Sequence, residues 1–143
     1  MCGNYWLGND RLSQLTLTGR YKLRVDLQAL DGSWYYSEYS SFVVFSEAHN
    51  YRLNVSGYTG NAGDAFSYSN GSEFTTYDRD NDLWSMNSTY ATFRNNCALL
   101  FGGGCWYSRY CGCYFNSGRS HHPDFFMWSR ALKLQTSRMW LKC

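Results

Sequence analysis

Tyr21-Lys22-Leu23-Arg24-Val25-Asp26-Leu27 alternates apolar with polar side chains, the period-two signature of a strand that buries one face. Asp31-Gly32 follows it. Glycine takes the positive φ that a tight hairpin turn demands, and Asp favours the same turn, so the chain is expected to reverse there. Trp34–Phe45 is the return strand, rich in the aromatic and β-branched residues that suit a pleated surface. A third strand fits Tyr51-Arg52-Leu53-Asn54-Val55. Upstream, Asn9-Asp10 is placed to cap a short helix over Arg11–Leu17. Downstream, Gly57–Gly63 is rich in Gly and Asn and reads as a loop. Alternation returns over Phe125–Leu141, which is expected to close the fold with strands.

Between these regions the periodicity fades. Residues 66–123 are dominated by Ser, Asn, Gly, Tyr and Asp. A long irregular stretch without low complexity is usually functional or stapled. Staples are at hand: Cys97, Cys105, Cys111 and Cys113 fall inside it, and Cys2 and Cys143 lie at the two ends. Such a cluster means disulfides or a metal. Zinc sites favour paired knuckles, whereas Cys111-Gly112-Cys113 is a lone C-x-C, so disulfides are the favoured reading; His121 and His122 keep zinc as the alternative. Three N-x-S/T sequons begin at Asn54, Asn70 and Asn87. With an even cysteine count they point to an extracellular, secreted protein. No signal peptide is visible and no apolar run reaches spanning length, so a secreted chain would be a fragment, a mature piece or an incomplete gene product.

A chain of 143 residues can bury one real core, and a net charge of +2 gives no reason to expect nucleic acid or a membrane surface as partner. Aromatic residues make up 20%, a share that serves both core packing and ligand contact. An enzyme is not expected. Cys113 near His121 and His122 suggests Cys-His chemistry, but that needs a thiolate, and clustered cysteines of a secreted chain are oxidised.

The acidic stretch Phe74-Thr75-Thr76-Tyr77-Asp78-Arg79-Asp80-Asn81-Asp82-Leu83-Trp84 places three Asp at alternate positions. Calcium takes about six to eight oxygen ligands, and side chains at i and i+2 of an extended turn can converge on one ion. An EF-hand is excluded: no Gly stands at the sixth loop position and Thr89 occupies the twelfth. A solvated acidic turn is the plainer alternative.

Taken together, Asn4–Asp10, Leu23–Leu27, Tyr51–Tyr58, Gly60-Asn61-Ala62-Gly63-Asp64-Ala65-Phe66, Phe74–Asp82 and Asn96-Cys97-Ala98 resemble, in order and over residues 4 to about 140, the fibrinogen-related C-terminal domain of ficolins, tachylectins, tenascins, angiopoietins and fibrinogen chains. The resemblance implies an α+β fold: a central antiparallel sheet with short helices (residues 1–65), a loop-rich, disulfide-stapled calcium and ligand subdomain (66–124), and closing strands (125–143). It implies a further N-terminal subdomain upstream, so the chain reads as a partial domain. Ca²⁺ would be held by the side chains of Asp80 and Asp82 and the carbonyls of Trp84 and Met86, with Asp78 outside the shell.

The same resemblance implies a ligand pocket built on a Cys97–Cys111 disulfide. The Tyr110–Cys111 peptide would be cis, and Phe101, Trp106, Tyr107 and Tyr114 would be the candidate walls. The function it implies is a calcium-dependent recognition domain, lectin-like toward acetylated or other glycans in innate immunity and clustered by homo-oligomerisation of the full-length protein. The alternative is an adhesive or structural module that binds extracellular proteins. The chain departs from the pattern at the pocket. Cys105 stands where the family has Trp, Gly112 where it has His, and Cys97 to Cys111 is one residue longer. Cys105 and Cys113 are extra and offer a second local bridge; Cys2 and Cys143 offer a link to each other or to another chain.

Overall fold

The structure, a computed structural model, describes residues 5–84, 95–113, 115, 127–128 and 132–143. Strand β1 (Lys22–Ala29) buries every second residue, with Leu23, Val25 and Leu27 at 1% exposure or less. The chain turns where Asp31-Gly32 requires it. Ala29 N–H donates to the Ser33 carbonyl at 2.9 Å, Gly32 adopts φ 87°, and Asp31 Oδ1 accepts the Ser33 N–H. Strand β2 (Trp34–Val44) returns antiparallel to β1. Strand β3 (Leu53–Gly60) pairs antiparallel with β2, and the late strands β4 (Met127–Trp128) and β5 (Leu132–Lys142) complete the sheet. The order is β3-β2-β1-β5-β4, so β1 lies at the centre between its hairpin partner and the last strand of the chain.

Three details differ from the sequence reading. The helix α1 (Asn9–Thr16) starts with Gly8 as its N-cap, at φ 96°, rather than with Asn9 or Asp10. Both side chains have other partners: Asn9 Oδ1 accepts from the Trp6 indole at 3.2 Å and Asp10 from the Tyr51 hydroxyl at 2.6 Å. Secondly, the third strand begins at Leu53, two residues late, because Asn50 and Tyr51 both take left-handed backbone conformations.

The third difference is that Gly57–Gly60 is strand, not loop. Its glycines allow β3 to approach β2 closely. A Cβ on Gly60 would stand 2.4 Å from the Tyr36 carbonyl oxygen, and one on Gly57 would stand 1.8 Å from Ser40 Oγ. Gly57 also turns the strand over. Leu53 and Val55 face the core before it, whereas Tyr58 packs on core Tyr39 after it; across the pair, β2 shifts from burying Ser37 and Tyr39 to burying Phe42 and Val44.

Helix α1 docks on this sheet through the buried side chain of Leu12 and the hydroxyl of Thr16. Thr16 is fully buried; its Oγ1 donates to the Leu12 carbonyl at 2.7 Å and accepts the Val44 N–H at 2.9 Å. The core behind the sheet is aromatic. Phe66 contacts Tyr39, Phe42, Trp106, Phe115 and Trp128, with ring centroids 5.0 to 6.4 Å apart and edge-on geometry, the arrangement that aromatic quadrupoles favour. These rings knit the sheet to the loop-rich half. Among the described residues no helix is long and apolar enough to cross a membrane.

Candidate functional site

The acidic loop is held from both sides. Thr75 forms an isolated antiparallel bridge with Cys105, donating at 2.9 Å and accepting at 3.1 Å. The turn Thr76–Arg79 follows, with Thr76 N–H donating to the Arg79 carbonyl. Asn81 anchors the loop from below: its Nδ2 donates to the Phe74 carbonyl at 2.7 Å and its N–H to Thr75 Oγ1 at 3.1 Å. Asn96 serves two neighbours at once. Its Nδ2 donates to the Thr76 carbonyl, and its Oδ1 accepts the Leu99 N–H as the N-cap of helix α2 (Cys97–Phe101). Both asparagines stand in motifs that carry the resemblance, but neither was given a role from sequence. Asn96 carried a usable signal, an Asn directly before the apolar run Cys97–Phe101.

Asp82 is the electrostatic centre of the loop. Its Oδ2 accepts the Cys97 N–H and its Oδ1 the Trp84 N–H, both at 2.9 Å. Asp80 Oδ1 in turn accepts the Asp82 N–H at 3.3 Å. Burial pushes the Asp82 carboxyl above the ordinary carboxylate range, and the charge of Asp80 pushes the same way, against the pull of the two N–H donors. Two adjacent carboxylates, one of them half-buried and costly to ionise, suit a hard cation: each oxygen keeps a lone pair free of its N–H bond, and a positive ion would offset the repulsion. Asp78 is turned elsewhere and accepts from Thr76 Oγ1 at 2.7 Å. Trp84 sits beside Asp82 through its N–H. Met86 lies outside the described residues, as do Tyr114, His121, His122 and Cys2. Arg79 points away from the loop, donating to Asn50 Oδ1 at 2.6 Å and pairing with Glu47 at 3.4 Å.

Two disulfides staple the region behind the loop, Cys97–Cys111 and Cys105–Cys113, with Cα–Cα distances of 5.5 and 6.2 Å. They take up the four clustered cysteines, which leaves none of these thiolates to bind zinc. By chain-entropy arguments, closing a separation of 14 residues stabilises a fold by about 3 kcal/mol. Cys143 is an exposed free thiol. The Tyr110–Cys111 peptide is trans, against the cis bond expected. The reversal is made by Cys111 at φ 54°, with its N–H donating to the Ser108 carbonyl at 2.9 Å. A left-handed residue costs about 1–2 kcal/mol, less than the roughly 3–4 kcal/mol of a non-proline cis bond.

The expected pocket walls separate into two groups. Trp106 has no exposed surface; its indole donates to the Tyr51 carbonyl at 2.7 Å, and Phe74 packs edge-on at 5.0 Å. Phe101 and Tyr107 stack on each other and are also buried. These three belong to the hydrophobic core. Tyr110, by contrast, is 75% exposed. It stands at the rim of a cleft of about 390 Å³ whose other walls include Phe66, Tyr68, Phe115, Met127 and Trp128. Tyr68 at the opposite rim is 79% exposed. A second concavity of about 470 Å³ lies against the acidic loop, between Tyr77, Asp78, Leu99 and the run Gly102 to Gly104.

This combination of sheet, acidic loop and adjoining disulfide is matched by sequence over almost the whole chain: residues 1–140 fit the family described as fibrinogen beta and gamma chains, C-terminal globular domain. The chain belongs to this family. The fibrinogen beta chain of Gallus gallus is 36% identical over 143 residues, covering 90% of this chain and 30% of that protein. The chain thus spans less than a third of the curated relatives it matches, such as tenascin and angiopoietin-related protein 1 of Mus musculus. The fibrinogen-like globe domain of human ANGPTL2 superposes with a TM-score of 0.81 at 34% identity, over 98% of this chain and 66% of that one. Lamprey fibrin D-dimer, solved with the peptide Gly-His-Arg-Pro-amide, superposes with a TM-score of 0.71 at 28% identity, over 95% of this chain and 49% of that one. The fibrinogen C-terminal fold accounts for the antiparallel sheet, the few short helices and the two disulfides in the C-terminal region.

Proposed function

We propose that this fibrinogen C-terminal domain is an extracellular protein-recognition module that receives a peptide segment in the cleft between Tyr68 and Tyr110, with Ca²⁺ on Asp80 and Asp82 bracing the neighbouring loop. The observation that carries the reading is the cleft itself: two exposed tyrosines, Tyr68 and Tyr110, flank an apolar cavity of about 390 Å³ backed by the buried rings of Phe66, Phe115 and Trp128. Exposed Tyr offers contact area and a polar tip at small entropic cost, which suits peptide side chains. A peptide ligand on the related lamprey D-dimer supports it, and the disulfides agree with an oxidising, extracellular compartment. Glycan binding, the first expectation from the resemblance, draws less support, because Phe101, Trp106 and Tyr107 do not line this cleft.

Calorimetric titration of the disulfide-intact chain tests the proposal, using Gly-His-Arg-Pro-amide and an immobilised peptide library beside N-acetylglucosamine, each with calcium and with chelator. Saturable peptide binding that is lost in Tyr110→Ala is expected. Sugar binding that depends on calcium, with no peptide retained, would overturn it in favour of the lectin reading.

A further inference from the structure

We infer that Asn54 is an N-glycosylation site, and that its glycan covers the outer face of the sheet at strand β3. The inference rests on the extracellular reading above. Three sequons are present, but the fold treats them differently. Asn54-Val55-Ser56 lies in an extended strand, where residues two apart share a face. Val55 points into the core at 3% exposure, while Asn54 and Ser56 both face solvent. The two side chains that define a sequon are therefore presented together, with room for a bulky substituent. Asn54 is in register with Val43 of β2, and β3 is the outermost strand of its side of the sheet.

Asn70-Gly71-Ser72, although Asn70 is also exposed, is tied into the fold through its side-chain oxygen and backbone. Asn70 Oδ1 accepts the Val55 N–H at 2.9 Å, Gly71 N–H donates to the Leu53 carbonyl at 2.8 Å, and the Ser72 carbonyl accepts the Leu53 N–H at 2.9 Å. This sequon is laid along the edge of β3, where it satisfies backbone groups that an edge strand would otherwise present for pairing. Asn87 lies outside the described residues. In the transfer itself, Asn54 Nδ2 forms a bond to C1 of a lipid-diphosphate-linked oligosaccharide. The C1–oxygen bond to the diphosphate breaks, Nδ2 gives up one proton, and the lipid diphosphate leaves. A glycan here leaves the cleft open, because Phe66 packs on Tyr39 and Phe42 from the inner face.

The test is translation of the full chain, behind a heterologous secretory leader, in the presence of microsomes. Enzymatic glycan release in heavy-oxygen water then leaves an isotope label at each occupied position for mass spectrometry. Label at position 54 is expected, together with one fewer glycan in both Asn54→Gln and Ser56→Ala. An unlabelled position 54, including the case of carbohydrate on Asn70 or Asn87 alone, overturns the inference. Because the leader delivers the chain to the lumen, this result is independent of whether the natural protein is secreted; that reading fails separately, if the natural protein is absent from the secreted fraction.

Discussion

Replacing Asp82 with Asn separates the structural role of this side chain from its role toward a cation. The carboxylate accepts two N–H groups, from Trp84 and Cys97, both at 2.9 Å. An amide has one acceptor oxygen, so one N–H would face the Asn NH₂ instead. Leaving one such partly buried donor unmatched costs about 1–3 kcal/mol. Relief of its burial cost and of the repulsion from Asp80 offsets part of this, so a net loss of about 1 kcal/mol is expected without calcium, a fall in Tm of roughly 3–4 °C for a domain of this size. Calcium at 100 times its Kd should stabilise the parent by about 2.7 kcal/mol and leave the variant unmoved.

The pH dependence carries a sign of its own. The folded carboxyl has a raised pKa, so the folded state holds the proton more tightly than the unfolded chain does. Without calcium, the Asp82 contribution to stability therefore falls as pH rises from the unfolded carboxylate pKa through the folded one. Bound calcium favours the ionised form and should reverse that trend. Thermal unfolding followed by circular dichroism, across pH and with calcium or chelator, reads all three effects. A full calcium shift in Asp82→Asn would refute the assigned site. Unchanged metal-free stability would refute the tie between the loop and Cys97.

Four further substitutions probe the scaffold and the cleft. Gly60→Ala should cost about 3 kcal/mol, since φ is 144° and the new Cβ meets the Tyr36 carbonyl at 2.4 Å, a backbone atom that cannot rotate away. Gly57→Ala should cost less, because Ser40 Oγ can turn aside, and chemical denaturation of the two variants gives the ranking. Trp106→Ala should lose about 3–5 kcal/mol of stability as a core truncation. Tyr110→Ala should stay within about 0.5 kcal/mol of the parent while losing peptide binding; an unstable Tyr110→Ala would mean that its ring is structural.

The sequence alone determined the elements whose signal is local. Alternation in Leu23–Leu27, the Asp31-Gly32 turn and the returning pattern near the C-terminus each depend on neighbouring residues, and each appears in the sheet. The ordered set of motifs determined the family as well, since it spans nearly the whole chain. Tertiary structure decided whatever depends on which distant groups meet. Gly57 and Gly60 resemble loop glycines until β2 is beside them; their purpose is close approach. Trp106, Phe101 and Tyr107 resemble binding aromatics until the fold buries them, whereas Tyr110, beside the Cys111 turn, is left exposed. Asp82 belongs to both accounts. The resemblance marked it as a candidate metal ligand, but its N–H donor from Cys97, 15 residues along the chain, comes from the fold. Spacing reports which groups are available, whereas burial and long-range hydrogen bonds decide what each one can do.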